Sequence, residues 1–246
     1  MSKEKDDSPV EQKEILDEVI DSTYPLLQKF REVCPGSFKH SQSLAAMVES
    51  VSMSLGLDVD FMKAVCLYHD IGKMNAPEYF SENQLEEGDP HSKIDSWMSY
   101  QIISRHVSDG VNILVNDAKF PRRMIEIISQ HHGDTVVQYF FDKSGSEIED
   151  LYRYKGTKPT CVESALLMIA DSVEATSRSL IQSGKYDAVD VVDVVVNKLL
   201  ADHQLDEVYM KLGDLNKIKE GLSKELKSMY VKRIDYDKAK EEKEDG

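Results

Sequence analysis

Apolar residues recur along this chain at helical spacing almost from end to end. Leu44, Met47, Val48, Val51 and Leu55 fall at i, i+3, i+4, i+7 and i+11, which is one face of an α-helix. Phe61/Met62 and Val65/Cys66 repeat the interval and run into His69, and Gly72 stands where a left-handed residue would close that helix. Ile94, Met98 and Ile102 carry the period toward His106. Pro121 opens a helix in which Met124, Ile127 and Ile128 lead to His131 and His132, with Gly133 as its stop. Val162, Ala165, Leu166, Ile169, Ala170 and Val173 form one more stripe. Val189, Val191, Val192, Val194, Val195 and Val196 favour a strand by β-branching. Yet Asp187, Asp190, Asp193 and Asn197 recur as the wet face of a helix would, and the pattern predicts helix. Turn chemistry concentrates at Asn75-Ala-Pro77, Glu87-Gly-Asp-Pro90 and Lys155-Gly-Thr-Lys-Pro159. No repeat or linker divides the chain. The expectation is a single all-α domain over 11–236, flanked by a disordered N-terminal segment at 1–10 and a charged, frayed tail at 237–246.

Composition narrows the function classes. Of 246 residues, 41% are hydrophobic and 30% charged, as in ordinary soluble proteins. No apolar run approaches the roughly 20 residues that span a bilayer, and the polar first residues make no signal peptide. Cys34, Cys66 and Cys161 are odd in number and scattered, as expected of reduced thiols in a cytoplasmic protein. The net charge of −15 disfavours polymeric nucleic acid, whose backbone is bound by Lys/Arg tracks. A small anionic ligand stays open, because two divalent ions would outweigh nearby carboxylates.

Candidate chemistry gathers in His40, His69-Asp70, His106, His131-His132 and Asp171. Five imidazoles and two carboxylates, with no thiolate, suit Fe, Mn or Zn. Seven ligands are too many for one ion and about right for two sharing a carboxylate, an arrangement that cuts phosphate esters. Adjacent helical residues point about 100° apart, so at a helix end Asp70 could bridge two ions while His69 binds one. Asp171 shares a polar stripe with Glu174 and Arg178, distinct from the apolar face of its helix. Any single histidine on an apolar face would more often be a hydrogen-bonded core residue, so the joint pattern carries the metal reading. His91, in the loop after Pro90, could touch substrate or be solvated, and His203 reads as a surface residue.

The order of these residues, H…HD…H…HH…D, resembles the HD-domain phosphohydrolases of the dinuclear branch. The flanking text is similar to the HD domain of the seven-transmembrane cyclic di-AMP phosphodiesterases. The resemblance is carried by Pro35-Gly-Ser-Phe-Lys-His-Ser41, Tyr68-His-Asp-Ile-Gly-Lys73, Tyr79-Phe-Ser-Glu-Asn-Gln84, Asp89-Pro-His91, Ile102-Ile-Ser-Arg-His-Val-Ser-Asp-Gly110, Gln130-His-His-Gly133 and Ala170-Asp-Ser-Val-Glu-Ala175. It continues through Gln204-Leu-Asp-Glu207 and Asp214-Leu215 and covers roughly residues 20 to 235. That family carries a membrane region before the domain, absent here, so the chain is expected to be a free-standing relative or an excised domain. Ser92 and Asp134 depart from the pattern near the expected cleft.

The resemblance implies an HD-domain helical bundle with two divalent metal ions, iron or manganese. His40, His69, Asp70 and Asp171 would hold one, and His106, His131 and His132 the other, with Asp70 bridging. The implied reaction is hydrolysis of cyclic di-AMP to pApA by a hydroxide bridging the ions. Lys73 would meet a phosphoryl oxygen as a point charge, against the plainer role of a lysine at a helix C-terminus. Arg178 and His91 are further substrate candidates, and Arg122 and Arg123 read as surface residues. Tyr79, Phe80, Tyr139, Phe140 and Tyr154 could stack adenine or simply pack. The alternatives are hydrolysis of another nucleotide phosphate ester, a catalytically silent nucleotide-sensing module, and an oxygen-activating di-iron enzyme. Oligomeric state has no signal in the sequence.

Overall fold

The computed structural model describes residues 9–84, 88–117, 119–182 and 188–244. Ten α-helices carry the fold among the described residues, joined by short 3₁₀ turns. In chain order they are α1 (Pro9–Val19), α2 (Pro25–Val33), α3 (Pro35–Leu55), α4 (Val59–Tyr68), α5 (Ser96–Val115), α6 (Arg122–Ser129), α7 (Gln138–Ser144), α8 (Val162–Gln182), α9 (Ala188–Ala201) and α10 (Leu212–Glu244). No strand is present among the described residues, and only an isolated bridge pairs Val136 with Arg153.

Local chemistry sets the helix ends. Proline opens α2 and α3, where its missing N–H is not needed. Asp58 and Asp95 cap α4 and α5 by accepting from the N–H of Phe61 and Met98, at 3.0 and 2.7 Å. The valine-rich segment is helical, with Val191, Val192, Val195 and Val196 buried and Asp193 and Asn197 exposed, so packing of one face overrides strand propensity. Asp187 lies outside the described residues, as does Glu87 of the expected turn. At the ends, helix extends over 9–10 and over 237–244, where frayed chain was expected; the Lys- and Glu-rich tail is made of good helix formers. Residues 1–8, 245 and 246 lie outside the described residues.

The core joins α2, α3, α4, α6, α8, α9 and the first part of α10 through Phe30, Leu44, Met62, Met124, Leu166, Val192 and Leu222. A separate aromatic cluster of Tyr100, Phe140 and Tyr152 sits under α5 and α7. Two readings of the pattern need correction. The buried face of α5 runs through Tyr100, His106, Gly110 and Leu114, while Met98 is half exposed and with Ile102 borders a surface cavity. Gly72 does not end α4, which stops at Tyr68; it lies within the following 3₁₀ turn, outside the left-handed region.

The role of Gly72 is close approach. A Cβ there would lie 1.9 Å from the carbonyl oxygen of His106 and 2.4 Å from the N–H nitrogen of Gly110. The turn carrying Asp70 therefore presses backbone to backbone on α5, which carries His106. Gly72→Ala is expected to cost about 3 kcal/mol or more, since neither backbone can retreat without opening the core. Thermal unfolding of the variant checks this, and a midpoint equal to that of the parent would contradict it.

Candidate metal centre

Five elements converge on one buried site. The first third of α3 supplies His40, the middles of α5 and α8 supply His106 and Asp171, the residues just past α4 are His69 and Asp70, and the turn after α6 supplies His131 and His132. His40, His69, Asp70, His106, His131 and Asp171 are all less than a tenth exposed. All seven residues singled out from sequence are thus brought together.

Asp70 divides the group in two. Its Oδ2 lies 3.8 Å from His40 Nε2 and 3.3 Å from His69 Nε2, while its Oδ1 lies 3.4 Å from His106 Nε2 and 4.0 Å from His131 Nε2. Asp171 Oδ1 joins the first half, 3.0 Å from His40 Nε2 and 3.7 Å from His69 Nε2. One candidate ligand atom each from His40, His69 and Asp70 fits within a 4.8 Å circle, and so do those of His106, His131 and His132.

The outer nitrogens fix how the rings present themselves. Nδ1 of His69, His106 and His131 donates to the carbonyl three residues earlier, on Cys66, Ile103 and Ile128, at 2.8, 2.6 and 2.7 Å. A carbonyl only accepts, so each Nδ1 carries the proton and each Nε2 can offer a lone pair inward. His40 Nδ1 faces Glu174 Oε2 at 2.7 Å in the same way. His69 Nε2 is buried and makes no hydrogen bond, and the Nε2 atoms of His106 and His131 face each other at 3.2 Å. The facing lone pairs of His106 and His131 are mutually repulsive unless a cation lies between them. The donor set therefore fits a pair of divalent ions, with Asp70 positioned to touch both.

The two halves differ electrically. Burial opposes charge on His40, but hydrogen bonds to Asp171 and Glu174 prevail and push its pKa up to about 9. Burial likewise opposes charge on His69, and Asp70 and Asp171 push it up to about 10. Burial, with His69 and His106 adding to it, pushes His131 down to about 3, and His132 is also held well below the ordinary imidazole value. Burial would raise both aspartates, yet the imidazoles around them, with Lys73 beside Asp70, hold them well below the usual carboxylate range.

The Lys73 side chain is only 13% exposed, packed inward rather than displayed at a helix end. Its Nζ lies 2.7 Å from both Asp70 Oδ2 and Glu82 Oε1, and 4.9 Å from the centre of the Phe80 ring. Glu82 also accepts from Ser37 Oγ at 2.9 Å, tying the start of α3 to the network. Glu82 and Glu174 had no assigned role in the sequence reading. The signal for Glu174 was its place three residues after Asp171, and for Glu82 its place within the Tyr79–Gln84 stretch.

The remaining candidates fall at varied distances from the site. Arg178 Nη2 lies 3.6 Å from the Glu174 oxygen that holds His40. His91 is buried, donates from Nε2 to the Tyr79 carbonyl at 2.9 Å, and leaves Nδ1 without a hydrogen bond. Arg122 and Arg123 pair on the surface with Glu126 and Glu163. His203 is exposed beside Asp206. Of the aromatic candidates, Tyr154 stacks on His132 at 4.3 Å, Phe80 meets the edge of His106, Phe140 packs on His91, and Tyr139 is exposed. A cavity of about 670 Å³ opens beside His132 and Tyr154, bordered by Ile102, Arg105, Asn112 and Lys155.

Known proteins are similar to this chain in sequence and fold. The chain is 34% identical over 226 residues to the cyclic-di-AMP phosphodiesterase PgpH of Bacillus subtilis, covering 90% of this chain and 32% of that protein. It is also 34% identical over 223 residues to the PgpH of Listeria monocytogenes, covering 89% of this chain and 31% of that protein. The chain thus spans about a third of the length of these curated relatives. The crystal structure of the L. monocytogenes PgpH HD domain superposes with a TM-score of 0.79 at 34% identity, covering 85% of this chain and 100% of that one. The same domain in complex with cyclic-di-AMP also gives 0.79, at 33% identity. No helix among the described residues is long and apolar enough to cross a membrane. The HD domain family model matches residues 37–176, more than half of the chain, and the chain belongs to the HD domain family.

Proposed function

We propose that this chain is a metal-dependent phosphohydrolase that opens a cyclic dinucleotide, cyclic di-AMP, to linear pApA. The observation that carries the reading is Asp70, whose two oxygens each face a separate group of imidazoles. Its support in substrate comes from 33% identity to a domain solved with cyclic-di-AMP. In the overall reaction a water oxygen bonds to phosphorus, the P–O3′ bond breaks, and the 3′ oxygen takes up a proton.

His40, His69 and Asp171 would hold one divalent ion and His106, His131 and His132 the other, with Asp70 shared. Such a pair supplies Lewis acidity toward a phosphodiester and lowers the pKa of water toward about 7. Nitrogen and oxygen donors without a thiolate suit iron, manganese or zinc, of which we propose iron or manganese; Cys66, three residues before His69, contributes only its carbonyl. Lys73 uses two of its three protons on Asp70 and Glu82, leaving one for a non-bridging phosphoryl oxygen. Arg178, tethered to Glu174, reaches toward the second phosphate. The cavity beside His132 takes the nucleotide away from the reacting phosphate, its volume lying in the ordinary range for small-molecule sites. His91 remains a proposed substrate residue, its Nδ1 buried without a hydrogen bond, so a base N–H would reach it only if its loop shifted. Three free cysteines accord with a reducing compartment, and we place the domain in the cytoplasm.

Metal loading has a proton signature. His40 and His69, raised to about 9 and 10, hold protons at pH 7 in the metal-free protein. Their stabilising effect on that form is full below the unfolded value of about 6.5 and is lost as pH rises through 9 to 10. An incoming cation must displace these protons, so apparent metal affinity should rise with pH up to about that range. Calorimetry in buffers of different ionisation enthalpy should report proton release at pH 7, and release of none would contradict the assignment.

The substrate test is direct. Manganese-reconstituted protein is incubated with cyclic di-AMP and cyclic di-GMP side by side, and the products are identified by chromatography and mass. Formation of pApA at the higher rate supports the proposal. Turnover of another nucleotide ester alone, or tight binding of cyclic di-AMP with no product over hours, overturns it.

A further inference from the structure

The Gln204-Leu-Asp-Glu207 stretch has no part in the proposed reaction and lies beyond the 37–176 segment that the family model matches. Gln204 is nevertheless completely buried, and its amide is committed to the turn that follows His131 and His132. Its Oε1 accepts from the Asp134 N–H at 3.3 Å, and its Nε2 donates to Asp134 Oδ1 at 2.6 Å. The same Nε2 meets Asp202 Oδ2 at 3.0 Å. Arg153 closes the cluster, donating to the Asp134 carbonyl at 2.8 Å and to Asp202 Oδ1 at 2.8 Å. Backbone and side chain of Asp134 are thus gripped from both sides.

The grip is tight and is aimed by backbone geometry. Gly133 has φ 52°, and a Cβ there would lie 2.3 Å from Gln204 Oε1. On the other side, His203 holds φ 57° at the close of α9, a conformation that costs a non-glycine residue about 1 kcal/mol. There the His203 N–H donates to the Leu200 carbonyl at 3.1 Å and the Gln204 N–H to the Leu199 carbonyl at 2.9 Å. The turn drives Gln204 inward, under the histidine pair, instead of letting α9 run on. In the other half of the site His40 and Asp171 stand within helices, and Gln204 makes no hydrogen bond to either.

We infer that Gln204 is a positioning residue for the three-histidine half of the site, holding the His131–Asp134 turn where its imidazoles meet His106. The inference rests on the two-ion reading above, but its test reads metal and not turnover. Metal-free Gln204→Met and Gln204→Glu are titrated with Mn²⁺ by calorimetry, bound manganese is counted by elemental analysis, and helicity and thermal midpoint are recorded. Met removes the hydrogen bonds at similar length, and Glu sets a carboxylate against Asp134 and Asp202.

The expected result is that one of two binding events weakens about 10- to 100-fold while the other is unchanged. Equal weakening of both, or of neither, overturns the inference. Arg153→Met removes only the outer side of the grip, at a partly exposed side chain, and decides the matter if the Gln204 variants do not fold. It should give the same one-sided loss, and unaltered binding would overturn the inference. Parent protein that takes up no pair of ions overturns the two-ion reading itself, a failure visible without any variant.

Discussion

Asp70→Ala and Asp70→Asn should each lose most of both ions and nearly all turnover in the same step. Each Asp70 oxygen faces a different group of imidazoles, so loss of this one carboxylate reaches both halves at once. Metal ions contribute several kcal/mol to phosphoryl chemistry, and about 4 kcal/mol corresponds to roughly a thousandfold in rate. The Asn variant keeps the shape but removes the charge and turns one oxygen into an N–H donor aimed at an imidazole lone pair. It should therefore resemble Ala rather than the parent. Elemental analysis after reconstitution, paired with a cyclic di-AMP assay, checks this. Full metal content with retained turnover would refute the bridging assignment.

Lys73→Met carries the second large effect, and it differs in kind. The ammonium is the buried counter-charge for Asp70 and Glu82, and it holds Glu82 down to about 2 against the upward push of burial. Removing one member of a buried ionic group leaves its partners uncompensated and costs about 3–5 kcal/mol. In the metal-free protein that cost should appear in full in urea unfolding. With manganese bound it should shrink, because a divalent ion beside Asp70 replaces the lost charge. Turnover should fall about 10²- to 10³-fold, the usual loss for one electrostatic donor at a developing charge, with both ions still bound. Loss of stability without loss of turnover in the loaded protein would make Lys73 a structural counter-ion only.

Much of this site was legible in the sequence because helical spacing and helix ends are local properties. His69-Asp70 and His131-His132 were readable as helix-terminal pairs, and the Asp171–Glu174–Arg178 stripe as a second, polar face of α8. The inward orientation of the Nε2 atoms was not readable, although its cause is local too: three of the histidines donate to a carbonyl three residues earlier. Where sequence reasoning went astray, tertiary contact was the reason. Gly72 looks like a helix stop, yet it is small because α5 crosses its backbone. Met98 and Ile102 look like core positions, yet they border a cavity at the surface. Glu82 meets Lys73 from nine residues away and Gln204 meets Asp134 from seventy, separations that no periodicity reports.

The most direct test of a pair of cations shared by Asp70 is an anomalous difference map from crystals of the reconstituted protein, recorded at the absorption edge of the loaded metal. Two peaks about 3.5–4 Å apart are expected on either side of the Asp70 carboxylate. One should lie among His40, His69 and Asp171, the other among His106, His131 and His132. A single peak, or none within reach of Asp70, would contradict the account.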